Sequence, residues 1–273
     1  MQDLAITLEK KLKTNRLSIP SLPENAVKLR KLAANPNASI KDITELIGQD
    51  ASTSAQIIRL AQTLRYSNPG STITSLNTAV TRIGFQGTVN LVLAMTILQG
   101  YHFHSKSIHN LCKYDNLCSR LTSKYAMTAY LAINQNLPQE KSDFIALASI
   151  FLNIGTLPIY SELDVIERVS QLTIDNEQIT KWKKELKVKF GLKILENWKF
   201  DPSFATVMDL KINKSNTCEA NCVIYAAKFV ENSKIEDLMP LSNEISDSFV
   251  PLPDSDYRDT FIEYLKTNGW LST

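Results

Sequence analysis

The sequence is short of the residues that build covalent and metal-bound frameworks. Its 273 residues include four cysteines and three histidines. Neither Cys112 with Cys118 nor Cys218 with Cys222 has the Cys-x-x-Cys spacing of zinc or redox sites, and four cysteines in a chain of this length do not form a disulfide framework. We therefore expect reduced thiols, mostly buried, because a buried cysteine behaves as a small apolar residue.

Long apolar runs and an excess of one charge are also missing. The longest apolar run, LVLAMTIL at residues 91–98, falls well short of the roughly 20 residues that span a bilayer. The first residues lack the basic-then-apolar order of a signal peptide. Lys and Arg number 30 against 28 Asp and Glu, for a formal net charge of +2, far from the basic excess of a general nucleic-acid binder. These absences predict a cytoplasmic protein without membrane insertion and without a nucleic-acid partner.

Apolar residues at helical spacing are abundant. Ser39 and Asp42 form a capping box in front of an apolar stripe, Gly48 is placed to end that helix, and Asp50 is placed to cap the next one. The pattern starts again at Ser75, and few residues remain for strands. The spacing predicts an all-α protein.

Breaks in the pattern suggest how the helices are grouped. We expect an N-terminal helix over residues 1–17, a helical lobe over residues 18–100 and a second helical lobe over residues 110–235. Prolines punctuate the remainder, residues 236–273, which we expect to form a C-terminal tail with a short helix.

Residues 40–64 have the outline of a DNA-binding helix-turn-helix. The start of the second helix reads bases in such motifs, and here Gln56 is its one good base-edge reader, with almost no Arg or Lys to anchor phosphates. We favour a purely structural helix pair and keep DNA recognition as an alternative.

Three histidines, His102, His104 and His109, form a second feature, because such a cluster can hold a transition metal. No Cys, Asp or Glu lies at ligand spacing beside them. We favour a solvated connection over a metal site.

The lysine-rich segment WKKELKVKF, residues 182–190, can face an acidic partner or a phosphate. Trp182, Leu186 and Phe190 share one stripe, so the lysines cover much of the opposite arc, as in an amphipathic surface helix. We favour that surface helix and keep Lys183 and Lys184 as candidate contacts to a ligand or partner.

The segment FLNIGTLP, residues 151–158, ends an apolar helix at a glycine and a proline. Phe144, Leu147 and Phe151 lie on one stripe of that helix, which predicts that it is a core helix. Leu152 and Asn153 are presented at its end.

Several motifs then occur in a recognisable order. They are IPSLP (residues 19–23), IGQD (residues 47–50), LAQTLRYSN (residues 60–68) and TAVTRIGFQGTVNLVLA (residues 78–94). This half of the chain closely resembles the HDOD family, bacterial output modules related to HD-domain phosphohydrolases. A weaker resemblance continues through ALASIFLNIGTLPIY, FGLKILENW and VIYAAKF. It implies an all-α HDOD-like domain over residues 18–235, whose second lobe is a degenerate HD domain.

The resemblance also locates where HD phosphohydrolases bind their metals. The position of Leu152 and Asn153 holds adjacent His and Asp in those enzymes, where one or two divalent metals activate water. Leucine has no donor atom, and asparagine offers a neutral amide oxygen in place of a carboxylate. The resemblance places two further ligand histidines near Tyr114 and Lys187, and neither side chain suits a divalent cation at neutral pH. We expect no metal at these vestigial positions.

The resemblance therefore implies a non-catalytic bacterial signal-transduction module without metal or cofactor. It would act by binding a signalling or regulatory protein, with nucleotide binding as a second mode. Two alternatives stay open. One is a metal-dependent phosphohydrolase with displaced ligands, and the other is a helix-turn-helix DNA-binding regulator.

Overall fold

The computed structural model of the chain describes residues 10, 24–61, 73–99, 103–134, 136–170, 175–198, 200–211, 216–233 and 262–267. Helices dominate these ranges and no strand occurs within them, which confirms the all-α prediction. In chain order the helices are α1 (Glu24–Ala33), α2 (Ile40–Gly48), α3 (Ala51–Ala61), α4 (Leu76–Ile83), α5 (Phe85–Gln99), α6 (Lys106–Asn134), α7 (Gln139–Phe151), α8 (Leu157–Ser170), α9 (Asn176–Asn197), α10 (Cys218–Asn232) and α11 (262–267). A 3₁₀ turn at Ile154–Thr156 joins α7 to α8, and another at Pro202–Val207 lies between α9 and α10.

Local sequence signals begin and end the first helices. The Ser39 hydroxyl accepts a hydrogen bond from the backbone N–H of Asp42, whose carboxylate accepts one from the Ser39 N–H at 2.8 Å. This is the predicted capping box. Asp50 accepts a backbone N–H at 3.0 Å at the start of α3, and Ser75 caps α4. Gly84 ends α4 with φ of +85°, a conformation that favours glycine.

Helices α1 to α5 enclose one apolar core. It includes Leu29, Ile43, Ile57, Val80 and Ile83, none of them more than 1% exposed. The stripes that predicted the helices are therefore the faces that pack together.

A second, larger core lies among α6, α7 and α10, with α6 the longest helix at its centre. Tyr125 of α6 and Phe229 of α10 contact edge to face, with ring centroids 5.0 Å apart, and Tyr264 of α11 lies 5.1 Å beyond Phe229. A smaller core places α8 and α9 against the start of α6. The predicted stripe of α9 is buried there, since Trp182 and Phe190 are at most 3% exposed.

The two large cores meet at Phe200, which packs against both. The Phe200 ring lies 4.7 Å from the Phe151 ring, and the Arg30 guanidinium lies 5.6 Å from its centroid on the other side. This aromatic contact links α1 to the end of α7.

Some sequence-based expectations concern residues that lie outside the described ranges. The predicted N-terminal helix, residues 1–17, lies outside the described residues except for residue 10, and the tail is described at residues 262–267 alone. The run Glu140–Val169, which covers most of α7 and α8, is long and apolar enough by length and composition to cross a membrane. Within its most apolar window, 83% is buried inside the protein, as in a core helix.

Candidate functional site

The site begins at the turn between α7 and α8, which lies directly against α9. A Cβ at Gly155 would come within 1.8 Å of the backbone oxygen of Lys187 and 2.6 Å of the backbone nitrogen of Gly191. Both atoms belong to a helix backbone and cannot move aside, so glycine alone permits this approach. The contact holds the end of α7 where Asn153 reaches α6.

Leu152 and Asn153 have different surroundings. Leu152 is 4% exposed and belongs to the large apolar core. The Asn153 amide nitrogen donates to the Ser119 hydroxyl at 3.0 Å and to the backbone oxygen of Asp115 at 3.2 Å. Asn153 therefore ties the end of α7 to α6.

A buried ion pair lies beside Asn153. Asp115 is 5% exposed, and its Oδ1 accepts a hydrogen bond from Lys183 Nζ at 2.6 Å, while its Oδ2 accepts one from the Tyr160 hydroxyl at 2.7 Å. Lys183 Nζ also lies 5.6 Å from the centre of the Tyr160 ring, within the range of a cation–π interaction. We call Asp115, Asn153, Tyr160 and Lys183 the Asp115 network. It joins α6, α8, α9 and the end of α7.

The network fixes the protonation states of its neighbours. Burial, helped by the Asp115 carboxylate, raises the pKa of Tyr160 far above its ordinary value, so the phenol remains a donor. The same two causes raise the pKa of Cys112 and of Cys118 to about 11. Both are therefore thiols at neutral pH, whereas metals bind thiolates.

A narrow cleft opens next to the network. It is lined by Cys112, Asp115, Asn116, Ile150, Asn153, Ile154, Thr156 and Leu157. Its interior has room for about one water molecule. Ligand pockets usually measure at least about 300 Å³, so a phosphoester with its metal ions does not fit this space.

The donor groups at these positions do not suit a divalent metal either. The Lys183 ammonium binds Asp115, and one turn further along α9 the Lys187 ammonium lies 3.4 Å from Glu231. Each ammonium already pairs with a carboxylate, so a divalent cation would have to displace a like charge in order to use either carboxylate. Within the described ranges, no group of three His, Cys, Asp or Glu side chains is arranged to hold a metal ion. The residues present do not fit the metal centre of an HD phosphohydrolase.

Two sequence-based assignments need correction. Tyr114 was expected at the vestigial site, but its side chain is 52% exposed, and the next residue, Asp115, lies in the site instead. One residue along a helix changes direction by about 100°. Lys183 was a candidate contact to a ligand or partner on a surface helix, but its side chain is 22% exposed and pairs with Asp115. Lys184, the neighbouring candidate, is exposed.

Sequence reasoning missed Asp115 and Tyr160. A signal for Asp115 exists, since it is the one acidic residue of α6 and lies on the same stripe as the buried Ile108 and Ala126. An acid on a buried stripe requires a partner. Nothing in the local sequence identifies that partner, because Lys183 lies 68 residues away.

The histidine cluster does not form a metal site in the described part of the chain. His104 Nδ1 lies 3.3 Å from Asp164 Oδ2, and Asp164 also accepts the backbone N–H of Ser105 at 2.7 Å. These contacts hold the segment just before α6 against α8. His109 is exposed, and His102 lies outside the described residues.

The cysteines are all free thiols, but Cys222 alone is buried while the other three are half-buried, which corrects the expectation of mostly buried thiols. Cys218 and Cys222 lie one turn apart in α10. A hydrogen bond from the Cys222 thiol lowers the pKa of Cys218 to about 6, and Asn134 Nδ2 lies 3.5 Å from the Cys218 sulfur.

The helix pair predicted at residues 40–64 is described over residues 40–61, where it consists of α2 and α3. The Ser54 hydroxyl of α3 donates to the backbone oxygen of Ile47 in α2 at 3.0 Å. At the start of α3, a hydrogen bond from Thr53 lowers the pKa of Asp50, which is therefore charged at neutral pH. A carboxylate at this end repels phosphates, and the half-buried Gln56 donates its side-chain amide to the Ser52 hydroxyl at 3.4 Å. This geometry favours a structural helix pair.

Comparison with known proteins supplies the family. The HDOD domain model matches residues 19–213. No curated protein matches the chain. A solved structure from Shewanella amazonensis SB2B, provisionally named a metal-dependent phosphohydrolase, has a TM-score of 0.74 at 24% identity and covers 95% of this chain and 97% of its own.

Two further structures share the fold. An HDOD domain protein of unknown function from Geobacter sulfurreducens has a TM-score of 0.59 at 13% identity, with coverage of 98% of this chain and 95% of that chain. A protein from Marinobacter aquaeolei VT8, provisionally named a signal transduction protein, has a TM-score of 0.51 at 19% identity, with coverage of 94% and 59%. The family model spans more than half of the sequence, and the chain belongs to the HDOD family.

Proposed function

We propose that the protein is a non-catalytic regulatory module of bacterial signal transduction, which acts by binding a signalling or regulatory protein. The Asp115 network carries this proposal. In an HD phosphohydrolase the centre of the site needs negative and neutral donors around a divalent cation. In this chain a lysine ammonium lies at that centre and already neutralises the buried carboxylate.

Two further groups of the Asp115 network are also engaged in hydrogen bonds. The Asp115 carboxylate accepts hydrogen bonds at both oxygens, from Lys183 and from Tyr160. Asn153 uses its amide nitrogen to bind α6. A metal would have to displace an ammonium of the same sign from a carboxylate 2.6 Å away.

Because the interior beside the network is packed, the protein would act through its surface. The cleft beside the network holds about one water molecule, which favours protein contacts over a nucleotide at this position. Membership of the HDOD family supports a regulatory role. The Marinobacter protein of similar fold is provisionally named a signal transduction protein.

The test is hydrolysis of a generic phosphodiester, bis(p-nitrophenyl) phosphate, by untagged protein with added manganese or iron. We expect no turnover above the rate with metal alone. Metal-dependent turnover that is lost in Asp115→Asn would overturn the proposal and return the protein to the phosphohydrolase class. Turnover that persists in Asp115→Asn would mean that the ligands lie elsewhere, and it would overturn the proposal equally.

A further inference from the structure

Helix α6 carries a stripe of basic side chains on its outer face. Lys106, Lys113 and Arg120 repeat every seven residues, so each is rotated by only about 20° around the helix axis from the one before. Lys124 follows Arg120 by four residues and shares that face. Lys106 and Lys113 are exposed, and Arg120 and Lys124 are half-buried. We call these four residues the basic stripe, which runs for about 27 Å along α6.

The one acidic residue of α6 does not neutralise the basic stripe. Asp115 is the one acidic residue of α6, and its carboxylate faces inward to Lys183. In the described ranges, the ion pairs of the protein involve none of the four stripe residues. Burial, together with the like charge of Arg120, lowers the pKa of Lys124. Arg120 and Lys124 are thus neighbouring half-buried cations that have no ion-pair partner among the described residues, an arrangement that favours an anionic partner.

We infer that the basic stripe docks an acidic helix of a partner protein. A helix lying alongside α6 presents the same face every seven residues, so Glu or Asp at that spacing would meet Lys106, Lys113 and Arg120 in turn. Tyr114, 52% exposed beside Lys113, adds an aromatic side chain of the kind enriched in interfaces. The inference rests on the proposed function and gives the chemistry of the partner.

A nucleic-acid duplex fits the same surface less well. Duplex DNA carries one charge per about 1.7 Å of its axis, against four cations over the about 27 Å of the basic stripe. The whole chain has a formal net charge of only +2. Charge density therefore matches an acidic helix better than a phosphate backbone.

The probe is a fluorescent alanine-based peptide of about 25 residues, long enough to be helical in isolation, with glutamates on one face at seven-residue spacing. A second peptide has the same composition with the glutamates spread around the helix. Fluorescence anisotropy gives the Kd of each for the parent, for a variant with all four stripe residues changed to Gln, and for the control Lys181→Gln/Lys184→Gln. The control removes two exposed lysines from α9 instead. Circular dichroism melts establish that all three proteins are folded.

We expect the Kd of the one-face peptide to be at least about 10-fold lower for the parent than for the stripe variant. The Kd values for the parent and for the Lys181→Gln/Lys184→Gln control should agree within about 2-fold. Equal binding by parent and stripe variant would overturn the inference. So would equal binding of the two peptides, which would indicate general charge attraction. Tighter binding of a duplex of about 20 base pairs, lost in the stripe variant, would make the surface a nucleic-acid site. None of these outcomes alters the phosphodiester assay, so failure here is distinguishable from failure of the proposed function.

Discussion

Replacing Lys183 by methionine removes the ammonium from the Asp115 network while keeping most of the side-chain volume. The Lys183 side chain is 22% exposed and that of Asp115 is 7% exposed, with 2.6 Å between the charged atoms. Breaking a buried pair by removing one partner costs about 3–5 kcal/mol because a charge is left uncompensated. The Tyr160 hydrogen bond remains and the adjacent cleft has room for about one water molecule, so we expect a loss of about 2–4 kcal/mol in the free energy of unfolding.

Urea unfolding of the parent and of Lys183→Met measures this loss, with an unchanged m-value as evidence that the two transitions are comparable.

Two companion variants make the result decisive. Lys184→Met changes an exposed neighbour on the same helix and should cost less than about 0.5 kcal/mol. Asp115→Leu combined with Lys183→Met removes both charges and should recover much of the loss, since apolar replacements of buried pairs are often tolerated. If Lys183→Met matched Lys184→Met in stability, the ion pair would not be the buried centre of the site, and the argument that an ammonium replaces the metal would fail.

Three further predictions concern the core and the site. Ile57→Asp places an unpaired carboxylate in a fully buried position, so it should lower the free energy of unfolding by several kcal/mol, whereas Gln56→Lys should change it little. Thermal melts that show equal tolerance of both changes would refute the packing of α3. Gly155→Ala should destabilise strongly, because its Cβ meets backbone atoms of α9, and a melting temperature close to that of the parent would contradict the close approach. The double variant Leu152→His/Asn153→Asp should be destabilised by about 2–4 kcal/mol in urea unfolding. It should show no manganese-dependent phosphodiester hydrolysis, because two ligands are too few for a catalytic metal, and turnover would reveal surviving ligands.

Helices were predictable because their signals are local. The capping box of Ser39 and Asp42 and the stripe containing Trp182 and Phe190 occur within a few turns of sequence, and the structure has both. Apolar spacing alone fixes which face of a helix is buried.

The centre of the site was not predictable in the same way. Its ion pair joins Asp115 to a lysine 68 residues away, so neither residue indicates the other in a sequence pattern. The family resemblance led to Tyr114, one residue from the position that faces inward. On a helix that single step separates an exposed aromatic ring from a buried carboxylate.

We propose that in this HDOD protein an internal ion pair lies where HD phosphohydrolases bind their metals. Metal content tests it directly. Untagged protein is equilibrated with excess manganese or iron, passed through a desalting column and analysed for metal by mass spectrometry. We predict far less than one metal ion per chain, unchanged by Asp115→Asn. A content near one ion per chain that disappears on changing Asp115 or Asn153 would contradict the account.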